Sequence, residues 1–424
     1  MLKLYQILTI LAAPLVRLYL LHRKKKGKED GLRINERFGK ASISRPAGKL
    51  VWFHAASAGE SISVLPIITR LSEQSPDLNF LITTGTVNSA KIMETMLPAK
   101  TIHQYVPVDI LPYVQKFLKH WQPDLAIFAE SEIWPNLITQ TSRHCPLIMV
   151  NGRMSEKSFK SWKKYKQFSR QIFSSFSLCM TQSQTDTKYL TTLGAQNVKY
   201  IGNIKYGAAP LPVDQQDLEK LKNMIGARPV WLAASTHNEG ELEEAIIASV
   251  HKELKKQYNN LLTIIVPRHA IRTGEILNEL KSANLNVATR SGNDDITSNT
   301  DIYLADTMGE LGLFYRACDI VLVGGSLVRR GGHNPLEPAR LNCAIIIGPH
   351  AFNFEEINNE FISKDALVQV SGQDELCKII SEFFQNTEKT TKLQNVALEL
   401  VNEKADIIDK IGEEILPYVK NTSI

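Results

Sequence analysis

The chain has little of what marks several large protein classes. Its five cysteines, Cys145, Cys179, Cys318, Cys343 and Cys377, are scattered, odd in number and nowhere spaced as C-x-x-C. Neither a disulfide framework nor a zinc ribbon is suggested, and a reducing compartment fits best. No G-x-x-x-x-G-K-[S/T] loop and no strand running into G-x-G-x-x-G occurs, so the ATPase and dinucleotide readings lose their signatures. No acid pair stands beside a glycine-rich phosphate turn, and no metal or other cofactor is expected. Internal repeats and long low-complexity segments are also missing. Net positive charge is confined to one place. The chain carries a formal +5, but residues 17–40 hold nine Lys/Arg against three Asp/Glu, net +6, which leaves the rest at −1. That distribution argues against a nucleic-acid surface and for an anionic partner near residue 20.

What is present is a folded composition, 43% hydrophobic and 22% charged over 424 residues, long enough for two domains of roughly 150 to 200 residues. At the N-terminus an apolar stretch from Leu4 to Leu21, broken by Arg17, runs into RKKK. As a helix it is about 27 Å long, close to a hydrocarbon core of about 30 Å. Its charge follows the apolar run instead of preceding it, which reads as a retained anchor rather than a cleaved signal. The basic cluster then lies on the cytoplasmic side near anionic headgroups. Pro14 and Arg17 leave open a helix lying in the interface.

From residue 50 onward, unalternating apolar runs separate amphipathic segments: LVWFHA, NFLITT, QYVPV, DLAIFAE, PLIMVNG, LCMTQS and VKYIGN, then VWLAAS, LTIIVP, LNVAT, IYLAD, DIVLVGG and AIIIGP. Such runs are parallel strands buried on both faces, and the fold class is α/β with two doubly wound, Rossmann-like domains facing across a cleft. The Gly/Pro cluster at 201–217 marks the boundary. The expected divisions are an anchor with its basic cluster at 1–26, domains at 27–205 and 206–390, and a C-terminal helix at 391–424 packing across the domains.

Ligands of open parallel sheets bind beyond the carboxyl ends of the strands, so the residues just after strands are the candidates. His54, Ser57, Gly59 and Glu60 follow LVWFHA. Ser57 and Glu60 form the pattern of a capping box, while Glu60 on the first turn of a helix could equally be a base. Glu130 and Glu132 end DLAIFAE; alternation points both the same way, and crowding should raise one carboxyl's proton affinity. Arg153 follows PLIMVNG, and Lys205 lies in the linker. Ser235, Thr236 and His237 follow VWLAAS, with Thr236 and Glu239 patterned as a second capping box and free amides that could hold an anion. Arg268 and His269 follow LTIIVP, Gly309, Glu310 and Leu311 form a Gly-containing turn, and Gly325 and Ser326 end DIVLVGG. Asn334, Pro335, Leu336 and Glu337 start a helix with Pro at its first position and an acid at its third, where Glu337 caps the helix or holds ribose hydroxyls.

FHAASAGE, FAESEIWPN, GNIKY, AASTH, VPRH, MGEL and GGSLVRRGGHNPLEPA, in this order, resemble the 3-deoxy-D-manno-octulosonic acid (Kdo) transferases of lipid A biosynthesis, from RFGK at 37 to about residue 350. Arg329 stands where the family pattern has proline. The resemblance implies a GT-B fold and metal-independent, inverting transfer of Kdo from CMP-Kdo to lipid IVA at the cytoplasmic face of the inner membrane. It implies Glu60 as the base that deprotonates the acceptor's 6′-hydroxyl, with Glu130 and Lys205 stabilising the transition state. Arg268, His269, Gly309 to Leu311 and Asn334 to Glu337 are implied as the CMP site.

Overall fold

The apolar runs become the strands of two parallel sheets in a computed structural model, which describes residues 1–420. The chain divides into two compact units, one made of Met1–Ala208 with the chain from Ala405 onward, the other of Ala209–Lys404.

In the first unit the strands are β1 (Leu50–His54), β2 (Asn79–Thr84), β3 (Thr101–Tyr105), β4 (Leu125–Ala129), β5 (Leu147–Gly152), β6 (Leu178–Thr181) and β7 (Val198–Tyr200). Their order is β3-β2-β1-β4-β5-β6-β7, all parallel. Every residue of β1 and β4 is buried, as helices on both faces require. Trp52 packs on Phe117 and Phe128 with ring centroids 4.7 and 5.1 Å away, and truncating such a ring costs about 3–5 kcal/mol. The chain winds outward from β1 and returns to β4 on the other side, so the crossovers part between these two strands. The expected strand QYVPV begins earlier, at Thr101, and ends at Tyr105 because Pro107 lacks the N–H that a ladder needs.

Helix α1 (Leu2–Lys25) lies against this unit along its length. Tyr5 donates to Asp109 Oδ2 at 2.8 Å, Asn136 Nδ2 donates to Thr9 Oγ1 at 3.3 Å, and Leu20 packs with Ile34 and Phe38. These contacts recur at helical spacing on one face. On the other, Leu4, Ile7, Leu8, Leu11, Leu15 and Leu18 are exposed. Two of the three acids of the following basic segment are buried on its own arginines: Glu29 on Arg23 and Arg37, Glu36 on Arg33. Lys24, Lys25, Lys26 and Lys28 are exposed.

The second unit contains β8 (Val230–Thr236), a two-stranded ribbon of β9 (Asn238–Glu239) and β10 (Glu241–Leu242), then β11 (Leu262–Pro267), β12 (Val287–Thr289), β13 (Ile302–Leu304), β14 (Ile320–Val323), β15 (Ala344–Ile347) and β16 (Val368–Gln369). Its parallel sheet runs β12-β13-β11-β8-β14-β15-β16, with the crossovers again parting beside the first strand, between β8 and β14. The stretch expected as one C-terminal helix is two. Thr387–Asn402 belongs to the second unit, while Ile407–Lys420 packs on α2 (Ala58–Gln74) and the Ile204–Gly207 turn of the first.

Candidate active site

The central crossover point of the first sheet is lined by the residues after β1 and β4. Ser57 is the N-cap of α2: its Oγ accepts from the Glu60 N–H at 3.3 Å and donates to Glu60 Oε1 at 2.7 Å, while Oε2 accepts from the Ala56 N–H at 2.9 Å. The Ser57 half of the capping box forms, the return bond goes to the Ala56 N–H one residue before the N-cap, and together they fix the carboxylate at the helix entrance. Burial pushes the Glu60 carboxyl above its ordinary range, and the charges of Glu130 and Glu132 push the same way against its hydrogen bonds. Gly59 is exposed, with nothing within 4 Å of where a Cβ would stand.

Glu130 and Glu132 do not share one environment. Both lie in the turn beyond β4, where strand alternation no longer applies, and Glu130 has a left-handed backbone with φ 54°. Glu130 Oε1 accepts from Asn151 Nδ2 at 3.4 Å, and Arg153 Nη1 is 3.8 Å from Oε2. Glu132 Oε2 accepts from Trp134 Nε1 at 2.7 Å and lies 3.5 Å from His54 Nε2. Burial pushes Glu132 up, but His54 and Trp134 outweigh it and hold the carboxyl below its ordinary value. The raised proton affinity expected of this pair thus falls on Glu60 instead. His54 is fully buried with Nδ1 3.1 Å from Thr83 Oγ1, a position that braces Glu132.

Asn151 also receives the Ile204 N–H on Oδ1 at 3.1 Å, so one buried amide ties the Glu130 carboxylate to the turn that carries Lys205. Gly202 and Gly207 flank this turn. A Cβ at Gly207 would stand 2.3 Å from Ile408 Cγ1 of the last helix, so only glycine fits under it.

In the second unit the loops after β8, β11 and β14 meet at the corresponding crossover point. The second capping box does not form: Thr236 to Leu242 turns into the β9–β10 ribbon, Thr236 Oγ1 donates to Glu244 Oε1 at 2.5 Å, and Glu239 pairs with Arg330 at 3.0 Å. Of the amides thought free to hold an anion, that of His237 is occupied. The fully buried Glu243 carboxylate accepts from the N–H groups of His237 (3.1 Å), Gly325 (2.7 Å), Ser326 (3.2 Å) and Leu327 (2.9 Å). Burial pushes its carboxyl up to about 7 against these donors. Ser326 is buried, its Oγ bonded to Val323 O and the Gly348 N–H, and Ser235 is a buried strand-end residue with φ 62°. Thr236 and Ser326 are thus framework and not ligand-facing side chains.

Arg268 and His269 are exposed beside this framework, and the His269 ring meets His237 edge-on at 5.5 Å. Arg272 closes a buried bidentate pair with Glu244 at 3.0 and 2.8 Å. Gly309 has φ 87° and open space at its Cβ; Glu310 is held by Arg290 at 2.6 Å and by Thr307, ahead of the helix that starts at Leu311. Asn334 Nδ2 donates to Glu337 Oε1 at 3.3 Å, and its Oδ1 accepts from the Leu336 N–H at 3.1 Å. The helix begins at Leu336, so Pro335 is its N-cap, one position earlier than expected. Burial raises the Glu337 carboxyl, while Asn334 and Arg268 oppose this.

Two doubly wound parallel sheets with charged loops at their carboxyl ends have the architecture of the GT-B fold class. The fold is shared with a UDP-GlcNAc 2-epimerase from Neisseria meningitidis (15% identity, 87% of this chain and 100% of that one, TM-score 0.58) and a glycosyltransferase from Rickettsia africae (12% identity, 89% and 100%, TM-score 0.56). The family described as 3-deoxy-D-manno-octulosonic-acid transferase (kdotransferase) matches residues 32–208. The 3-deoxy-D-manno-octulosonic acid transferase of Rickettsia bellii is 37% identical over 99% of this chain and 100% of its own, and that of Haemophilus influenzae 33% identical over 98% of each. The chain belongs to the Kdo transferase family, as its motifs led one to expect, and is a Kdo glycosyltransferase of lipopolysaccharide core synthesis.

Proposed function

We propose that the chain transfers Kdo from CMP-Kdo to lipid IVA with inversion at the anomeric carbon, without a metal, and with Glu60 as the general base. The observation that carries this is the Glu60 carboxylate, held at the entrance of α2 with its proton affinity raised. A carboxylate with raised proton affinity is a stronger base. The acceptor's 6′-hydroxyl gives its proton to Glu60 as its oxygen bonds to the anomeric carbon, and the bond to the CMP phosphate breaks with its electron pair leaving on phosphate. Glu130 and Lys205 stabilise the transition state, and Arg268 and His269 meet the leaving phosphate's charge, the part a metal would otherwise play. Gly309 to Leu311 and Asn334 to Glu337 hold the rest of CMP.

The acceptor is a bilayer lipid, and α1 supports a position in the plane of the inner membrane's cytoplasmic face. One side of α1 is docked by polar contacts at Tyr5 and Thr9, which spanning would carry into hydrocarbon; the other exposes leucines suited to lipid. Lys24, Lys25, Lys26 and Lys28 suit anionic headgroups.

Incubation of the purified protein with CMP-Kdo and lipid IVA, read by mass spectrometry, should add the mass of Kdo to the lipid, with or without EDTA. Glu60→Gln should lower kcat by about 10²–10⁴-fold while CMP affinity stays unchanged. Because protonation removes the base, the wild-type rate should fall as pH drops through the raised Glu60 value. Retained transfer in Glu60→Gln, or loss of CMP binding, would sink the assignment.

A further inference from the structure

The second unit holds a cluster that the reading above leaves unused. His237 follows β8, Arg330 and His333 belong to the turn after β14, and the three side chains converge over Gly325. The two imidazoles stack with centroids 5.1 Å apart and planes 9° from parallel, their Nε2 atoms 2.9 Å from each other. Neutral rings at this distance share one proton, one Nε2 donating and the other accepting. A Cβ at Gly325 would stand 3.3 Å from Cδ2 of each ring and 3.4 Å from Arg330 Cγ, and its φ of 66° itself favours glycine. Glycine at 325 therefore lets both rings and the Arg330 stem close over the backbone.

The surroundings are cationic. Arg330, Arg268, Arg272 and His269 face the pair; Arg272 is already neutralised by Glu244 and Glu275, and Arg330 pairs with the exposed Glu239. The Glu243 carboxylate is directed at backbone amides, among them that of His237. Burial and these cations hold His237 down to about 4 and His333 down to about 3, so both rings are neutral at pH 7.

We propose that His237, His333 and Arg330 form a subsite for the carboxylate of the transferred sugar, beside the Arg268–His269 position at which the donor phosphate is expected. The inference rests on the donor reading given above. An ulosonic acid carries its carboxylate on the anomeric carbon, the same carbon that bears the phosphate ester in the donor, so two anions must be met side by side. The neighbouring His237 and His269 rings, 5.5 Å apart, can serve one anion each. A bound carboxylate raises the proton affinity of the ring pair, so donor binding should strengthen, relative to CMP binding, as pH falls.

The full-length His333→Gln and Arg330→Gln variants test this. Loss of a charge-assisted hydrogen bond should raise KM for CMP-Kdo about ten-fold or more, while Kd for CMP, which lacks the sugar, changes by less than about two-fold in titration calorimetry. An equal loss of CMP affinity would assign the cluster to the phosphate and overturn the proposal, as would an unchanged KM in both variants. Arg330 is exposed, so its variant should melt with the wild type and keeps the test open if His333→Gln misfolds. A wild-type protein that fails to bind CMP would overturn the donor reading, and the subsite with it.

Discussion

Asn151 adopts a left-handed backbone conformation, φ 52°, that costs most side chains about 1 kcal/mol but suits asparagine. Its amide serves Glu130 on one side and the Lys205 turn on the other, so its loss should be read in two currencies. Asn151→Ala leaves the buried Ile204 N–H unpaired and strains the backbone, a loss of about 2–4 kcal/mol in chemical denaturation. Asn151→Gly relieves the strain and should recover part of that stability. In both, kcat should fall about ten-fold or more through misplacement of Glu130 and Lys205; a glycine variant with full kcat would show that the tie has no catalytic consequence. Glu243 is a second such residue. Each of its oxygens accepts two backbone N–H groups, so Glu243→Gln turns an NH₂ towards two donors and should cost about 2–4 kcal/mol although it removes a buried charge, measured by the thermal midpoint. Neither residue was legible in the sequence. Asn151 lay at the end of the strand run PLIMVNG, where attention fell on Arg153, and Glu243 in the acidic run GELEE, which reads as a solvated helix start. Glu60, Glu130 and Lys205 were singled out because family motifs cover all three and the first two also follow strands.

Elements were read best where they are buried. The unalternating runs gave the central strands, since a strand covered on both faces has no polar side to disguise it. The short β16 escaped because two residues carry no periodicity, and the β9–β10 ribbon because Thr236-x-x-Glu239 fits a capping box as well as it fits a turn at Gly240. Helix α1 was legible as an apolar helix, but its two faces were not, for apolar residues continue all round it. Replacing Leu8, Leu11 and Leu15 together by serine should release the protein from membranes in flotation assays while leaving the melting temperature and CMP affinity unchanged, because these residues touch no other part of the first unit's core. Continued membrane binding would mean that the exposed face is not what holds lipid.

At the scale of the whole molecule, charge is concentrated where the apolar face is. Vesicles with anionic headgroups should bind the protein more tightly than neutral ones, and the difference should shrink between about 0.1 M and 1 M salt as the Debye length falls from about 10 Å to about 3 Å. Equal binding to both vesicle types would remove the basic segment from the account. The division of the chain also bears on the order in which the protein is made. The first unit receives its final piece, the Ile407–Lys420 helix, from the far end of the chain, and that helix covers the glycines on either side of Lys205. On the ribosome the N-terminal sheet can form early, but the Lys205 turn is without its cover until the second unit has been synthesised. A nascent chain can thus bring α1 to the membrane well before the Lys205 turn is complete, and a truncated product should reach the lipid without acquiring the activity.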